Sequence, residues 1–121
     1  MTDSSLDALQ QRLGHAFAQP GLLVRALTHR SFGIEHNERL EFLGDSVLGC
    51  AVTEMLFRSH PGLAEGKLSR IRAGLIREES LAEIARGLGI AVFLRLDEST
   101  ARNEGAARPS ILADALEAIY G

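Results

Sequence analysis

Acidic side chains at helical spacing are the residues of this chain best suited to chemistry. The stretch NERLEFLGDSVLG, residues 37–49, places Glu38, Glu41 and Asp45 three to four positions apart. At about 100° per residue, acids at this spacing share one stripe of an α-helix. Apolar residues cover most of the remaining helix surface, which is typical of a buried helix. We therefore expect these acids to lie away from an ordinary solvated face.

The C-terminal segment SILADALEAIYG, residues 110–121, offers a second pair of acids. Ser110 is a candidate N-cap for a helix with an apolar stripe, and Asp114 and Glu117 share the opposite face of that helix. Two unit charges about 4 Å apart repel by about 4 kcal/mol at an effective dielectric constant near 20, so four gathered carboxylates need cations, protons or separation. Mg²⁺ and Mn²⁺ suit an all-carboxylate cluster. On spacing alone, solvated acids without a metal remain an open alternative.

Other catalytic chemistries find less support in the sequence. The single Cys50 and the scattered histidines lack zinc-ligand spacing. No serine or cysteine has the partners of a nucleophilic triad, and no glycine-rich phosphate loop precedes a strand. A helical phosphohydrolase built on a His-Asp metal dyad is disfavoured, because no adjacent His-Asp pair occurs in the sequence. One cysteine also argues against a disulfide framework and favours a reducing cytoplasm.

The elements that must position the acids are predicted to be helices. Leucines three to four residues apart predict a first amphipathic helix that ends at Gly14, where a glycine suits the C′ position. Pro20 begins a second helix. The acidic helix is expected to run from an Asn37 N-cap to about His60, because Pro61 stops it.

The remainder of the chain continues the helical pattern. Two further helices are expected around residues 68–76 and 81–88, residues 97–109 are predicted to form a loop, and residues 90–96 are ambiguous between strand and helix. The 121 residues suit one domain, and we expect neither a secretory signal nor a membrane span. The sequence therefore predicts a single all-α domain.

Four segments together resemble the ribonuclease III family nearly end to end. They are NERLEFLGDSVLG, LTHRSF (residues 27–32), EGKLSRIRAGLI (residues 65–76) and SILADALEAIYG, and they occur in the family's order. The resemblance implies an all-α endonuclease domain that forms a two-fold symmetric homodimer and cleaves double-stranded RNA with Mg²⁺, for which Mn²⁺ can substitute. It further implies 5′-phosphate and 3′-hydroxyl ends, short 3′ overhangs and a role in RNA processing, including that of rRNA. Neither a membrane nor a small-molecule cofactor is implied.

The family's four acidic site positions fall on acids of this chain. The resemblance implies that Glu41, Asp114 and Glu117 hold the metal and that Asp45 and Glu117 are catalytic, with Asp45 organising the site and the attacking water. The reaction implied is phosphodiester hydrolysis by water that a divalent ion activates. No covalent nucleophile is required.

Further residues take supporting roles in the same resemblance. Glu38 and Glu65 match acids that line the dimer cleft, and Arg70 and Arg108 are candidate RNA contacts. Phe42 matches an aromatic side chain that inserts into the partner subunit, although ordinary core packing is an equally good interpretation from the sequence.

The overall charge is unusual for a protein that binds RNA. The net charge is -3 and the pI about 5.8, whereas RNA affinity normally comes from Lys and Arg that neutralise phosphates. Local charge matters more, because residues 67–77 contain four basic side chains. A bound divalent cation would also offset part of the acidic field.

Two features depart from the family pattern. The chain stops at Gly121, where the family's endonuclease domain continues, so we expect residues 1–121 to be that domain without its C-terminal part and without a double-stranded RNA-binding domain. The loop NEGAARPS, residues 103–110, keeps only Gly105 and Arg108 of the glycines and basic residues usual there.

The competing hypothesis is a catalytically inactive ribonuclease III-like module that dimerises or scaffolds RNA. Such a protein would be expected to lose one or more of the four site acids. This chain keeps all four, so the sequence favours catalysis.

Overall fold

The computed structural model describes residues 3–121, with side chains described from Leu6 onward. Helices account for nearly all regular structure in this range, so the all-α prediction is confirmed. The α-helices are α1 (Asp3–Leu13), α2 (Pro20–Ala26), α3 (Glu38–Ser59), α4 (Glu65–Ile76), α5 (Glu78–Gly87), α6 (Glu98–Arg102) and α7 (Pro109–Tyr120), and short 3₁₀ turns span Ile90–Phe93 and Gly105–Ala107. None of the helices described is both long and apolar enough to cross a membrane.

The C-terminal helix α7 lies at the centre of the fold. Half of its twelve residues are buried, and it packs against α2, α3 and α5. Three of the buried residues are alanines, Ala113, Ala115 and Ala118, whose small side chains let neighbouring helices approach closely. The acids of α7 are therefore carried by the most firmly packed helix of the chain.

The predicted first two helices are confirmed. Helix α1 ends at Leu13, and Gly14 follows with a φ of 70°, the left-handed conformation that glycine adopts without steric cost. Helix α2 begins at Pro20 and buries Leu23 and Ala26. These helices cover one side of the core around α7.

Helix α3 starts where the sequence predicts, but Asn37 does not cap it. The Asn37 side chain is buried and its Nδ2 donates to the carbonyl oxygen of Ala26 at 3.0 Å, while its backbone N–H donates to Thr28 O at 2.9 Å. The residue therefore fixes the start of α3 to the end of α2. The prediction of a side-chain N-cap was wrong because this tertiary hydrogen bond takes the amide group.

The ambiguous segment 90–96 is mostly a 3₁₀ turn followed by an isolated parallel bridge. Arg95 N–H donates to Leu27 O at 2.9 Å, and His29 N–H donates to Arg95 O at 3.0 Å. The bridge connects the loop that precedes α3 to the segment that precedes α6. It thereby fixes the backbone on which His29 and Arg30 stand.

Two predictions near the C-terminus were wrong in detail. The expected loop over residues 97–109 contains α6 and a 3₁₀ turn, because Asp97 accepts a hydrogen bond from Thr100 N–H at 2.8 Å and caps a new helix. The expected N-cap Ser110 instead lies inside α7, which begins at Pro109. Proline suits the first helical position because its φ is already helical and its missing N–H is not needed there.

The expectation that the acidic helix is buried was also wrong for the single chain. Of the residues of α3, only Gly44, Leu48 and Leu56 are buried. Phe42 is 79% exposed and Leu43 is 50% exposed. The apolar surface beside and opposite the acids is thus open to solvent in this chain, and core packing of Phe42 is excluded.

Candidate metal centre

Helices α3 and α7 approach each other very closely at Gly44. A Cβ atom there would overlap the backbone carbonyl group of Glu117, so only a glycine permits this approach. Gly121 makes the matching contact with the backbone of Leu40. Because Gly44 lies between Glu41 and Asp45 in the sequence, this contact sets the acids of α3 directly against those of α7.

Three carboxylates meet across that contact. One carboxylate oxygen from each of Glu41, Asp114 and Glu117 lies within 4.8 Å of the other two. We call these residues the acidic trio. The four acids singled out in the sequence therefore include three that could hold one metal ion together.

The electrostatics of the acidic trio show a need for positive charge. Burial, followed by the charge of Glu41, raises the pKa of Asp114 to about 6. Burial, a hydrogen bond with Asp45 and the neighbouring carboxylates raise the pKa of Glu117 to about 7. The pKa of Glu41 is also raised, by burial first and by Asp45 next. A partly desolvated set of oxygen donors with this repulsion fits a hard divalent cation.

Asp45 occupies a different position from the trio. It is exposed on α3, and its carboxylate shares a hydrogen bond with Glu117. Its place beside one member of the trio suits a residue that orients Glu117 or exchanges a proton with it, whereas the other three acids suit direct ligation.

A polar groove with a cavity volume of about 670 Å³ opens beside the trio. Its lining includes Glu41 and Asp114 of the trio, the predicted residues Glu38 and Arg108, and residues of the loop between α2 and α3 that the sequence reasoning did not single out: His29, Arg30 and Ser31. Their only signal in the sequence was their position in LTHRSF, shortly before the acidic helix. Spacing along the chain could not show that this loop borders the acids.

His29 lines that groove, and its imidazole ring is fixed by a local hydrogen bond. Its Nδ1 accepts a hydrogen bond from Ser31 N–H at 3.1 Å, and burial followed by the charge of Arg30 lowers the pKa of His29. A lowered pKa keeps the imidazole neutral at pH 7. The positive charge in the groove therefore comes from arginine.

Three predicted residues do not line the groove beside the trio within the single chain. Glu65 accepts a hydrogen bond from Ser69 Oγ at 2.8 Å and lines a separate groove between α3 and α4. Arg70 is exposed on α4. Phe42 lies at the edge of an open apolar groove that Leu40 and Leu43 also line. One chain by itself does not bring these three residues into the groove beside the trio.

Comparison with known proteins gives consistent matches. A family model described as ribonuclease-III-like matches residues 19–121. Ribonuclease 3 of Albidiferax ferrireducens is 58% identical over 119 residues, which are 98% of this chain and 52% of that protein. Ribonuclease 3 of Cupriavidus pinatubonensis is 60% identical over 117 residues, 97% of this chain and 46% of that protein. The chain thus spans about half the length of the curated relatives it matches.

Solved structures agree with the sequence matches. The nuclease domain of ribonuclease III from Campylobacter jejuni superposes with a TM-score of 0.91 at 47% identity, over 94% of this chain and 80% of that chain. That structure is described as showing flexibility in a region involved in dimer formation. A second structure of that nuclease domain gives a TM-score of 0.89 at 47% identity, over 93% of this chain and 78% of that chain. With the family model covering most of its length, the chain belongs to the ribonuclease-III-like family.

Proposed function

We propose that this chain is the nuclease unit of a Mg²⁺-dependent endoribonuclease that cleaves double-stranded RNA. The products in this proposal carry 5′-phosphate and 3′-hydroxyl ends with short 3′ overhangs, and the physiological role is RNA processing, including that of rRNA. The observation that carries the proposal is the acidic trio, with its oxygens within 4.8 Å of one another in a chain whose relatives are ribonucleases 3. Residues 1–121 act in it as one nuclease domain.

The positions of the acids support the roles proposed for them. Glu41, Asp114 and Glu117 would hold the Mg²⁺, for which Mn²⁺ can substitute, because all three donors are carboxylates and partial burial penalises their unneutralised charge. A divalent ion bound there lowers the pKa of water and offsets negative charge on the phosphate. Asp45 shares a hydrogen bond with Glu117, so it would orient that carboxylate and help to position the attacking water.

Dimerisation is part of the same proposal. Phe42, Leu43 and Val47 are exposed apolar residues of α3: Leu43 and Val47 lie opposite the acids, and Phe42 lies on a flank of the acidic stripe. A second copy of the chain can cover these residues across a two-fold axis, so that each Phe42 inserts into the partner. The related C. jejuni nuclease domain has a region involved in dimer formation, which supports this arrangement.

The proposed dimer also gives a role to Glu65 and Arg70, which do not line the polar groove beside the trio of their own chain. Glu65 and Arg70 are both exposed on α4. In the proposed dimer they border the cleft between the two trios, together with Glu38, and Arg70 and Arg108 contact RNA. We place the activity in the cytoplasm, because RNA substrates and the exposed free thiol of Cys50 suit a reducing compartment.

The decisive experiment is a cleavage assay on a plain RNA duplex. We expect cutting by the purified protein in Mg²⁺ and no cutting in EDTA. Ca²⁺, which is larger and accepts irregular coordination, should support binding without turnover. Equal rates in Mg²⁺, Ca²⁺ and EDTA would remove the metal mechanism, and duplex binding without any cleavage would favour the inactive scaffolding module.

A further inference from the structure

Arg30 is a positive charge in the groove that the proposed mechanism leaves without a role. It stands on the loop between α2 and α3, and its Nη1 atom lies 3.6 Å from Glu38 Oε1. The side chains of this pair are 72% and 55% exposed, respectively. Exposed ion pairs contribute little to stability, so structural support alone is a weak explanation for an arginine at this place.

The guanidinium of Arg30 acts on one member of the acidic trio. Burial and the surrounding carboxylates raise the pKa of Asp114, and the charge of Arg30 opposes that rise. Arg108 enters the same groove from a different segment, directly before α7. Arginines from two separate segments therefore border a groove that also contains two members of the trio.

Hydrogen bonds hold the residues on both sides of Arg30, while the Arg30 side chain is 72% exposed. His29 N–H donates to Arg95 O at 3.0 Å on one side. On the other side, Ser31 Oγ accepts from Asp97 N–H at 3.1 Å. The long side chain can therefore exchange its exposed partner Glu38 for another anion without any rearrangement of the loop.

We propose that Arg30 binds a backbone phosphate next to the one being cleaved, and that Glu38 holds its guanidinium over the groove until RNA arrives. This inference rests on the function proposed above and adds a substrate contact to it. A planar guanidinium can donate two parallel hydrogen bonds to a phosphate, and such charge-assisted pairs are strong. The phosphate displaces Glu38 because the ion pair between Arg30 and Glu38 is solvated and long.

The test measures duplex RNA binding in Ca²⁺ at several salt concentrations. Arg30→Ala should weaken binding about tenfold and reduce the slope of log K against log salt by about one, as expected for one lost phosphate contact. Arg30→Lys keeps the charge and should restore the slope. The matched control is Arg58→Ala, because Arg58 forms an equally exposed pair with Glu54 at 3.1 Å, about 25 Å along α3 from Glu41.

Cleavage kinetics and a second variant distinguish a phosphate contact of Arg30 from a purely structural role of its ion pair with Glu38. Arg30→Ala should raise KM and leave kcat within about threefold of wild type, because the contact is made equally in the bound and transition states. Glu38→Gln should bind RNA more tightly, since it releases Arg30. A merely structural pair would instead give similar losses of thermal stability in both variants and no change in salt slope.

The outcomes distinguish this inference from the proposed function. If wild type cleaves duplex RNA and Arg30→Ala has the same salt slope as Arg58→Ala, the proposed phosphate contact of Arg30 is wrong and the proposed nuclease function is retained. If wild type binds duplex with a slope that depends on Arg30 but never cleaves it, the contact stands and the proposed catalysis is wrong.

Discussion

The two sides of helix α3 have different surroundings, because α7 covers one side and the other is apolar but exposed. On one side Gly44 lets the helix touch the backbone of α7, and Glu41 beside it is partly desolvated. On the other side Phe42 and Leu43 are exposed although they are apolar. We call the side that α7 covers the closed side of α3, and the side that is exposed to solvent in the single chain its open side. A hydrophobic helix can thus be correctly patterned for an assembly and still look wrongly patterned for one chain.

The largest effect is expected on the open side. If each Phe42 inserts into a second copy, Phe42→Ala removes a buried ring from both protomers at about 3 to 5 kcal/mol each. Sedimentation at micromolar concentration should then shift from dimer to monomer. The stability of the monomer should change little, because the ring is 79% exposed there.

Ile34→Ala is the control for that experiment, since Ile34 is 93% exposed in the loop before α3. It should leave the dimer intact. A wild-type protein that sediments as a monomer would show that the open side of α3 has another role.

On the closed side of α3, loss of one proposed metal ligand should abolish cleavage of duplex RNA. Glu117→Gln removes a charged donor from the trio and should lower the cleavage rate at least about 1000-fold, equivalent to about 4 kcal/mol. Circular dichroism should show unchanged helical content, because Gln has nearly the same shape. Cleavage by this variant within about tenfold of wild type would take Glu117 out of the site.

The contact between the helices should be sensitive to a single methyl group. Gly44→Ala places its Cβ against the Glu117 carbonyl, so α3 and α7 must separate, at about 1 to 3 kcal/mol of stability. Mg²⁺-dependent cleavage should fall as well, because the trio opens. Gly87→Ala is the matched control: nothing lies within 4 Å of its added Cβ, and its unfolding midpoint in urea should stay near wild type.

The smallest effect is a pH dependence of stability without metal. The pKa values of Asp114 and Glu117 are raised to about 6 and about 7 in the folded protein. A raised carboxyl pKa gives stability that is complete below the unfolded value near 4 and is lost as the pH rises through the folded value. In EDTA, the melting temperature should therefore fall by a few degrees between pH 5 and pH 8.

Mg²⁺ should oppose that fall, because a bound cation neutralises the charged trio. The variant Asp114→Asn should show a flatter profile in EDTA than wild type. A melting temperature that rises steadily from pH 5 to pH 8 in both proteins would contradict the repulsion inferred for the closed side.

The success of the sequence predictions differed between helices and their connections. Periodic leucines and the breakers Gly14 and Pro20 located the first helices, because local backbone preferences act there without competition. The caps were less predictable. Asn37 has the right chemistry for capping, but its amide bonds instead to Ala26, eleven residues earlier in the chain.

The sequence by itself determined the helical class and the acids that carry the candidate chemistry. The helical class depends on residue type and on spacing within each helix, and the choice of the four acids rests on the resemblance to the ribonuclease III family. Only the tertiary structure showed how closely Glu41, Asp114 and Glu117 approach one another, that Arg30 lines the groove beside them and that Phe42 stays exposed. Glu41 and Glu117 are far apart in sequence, and their meeting depends on a backbone contact at Gly44. Periodicity describes the face of a helix, whereas long-range packing decides what that face meets.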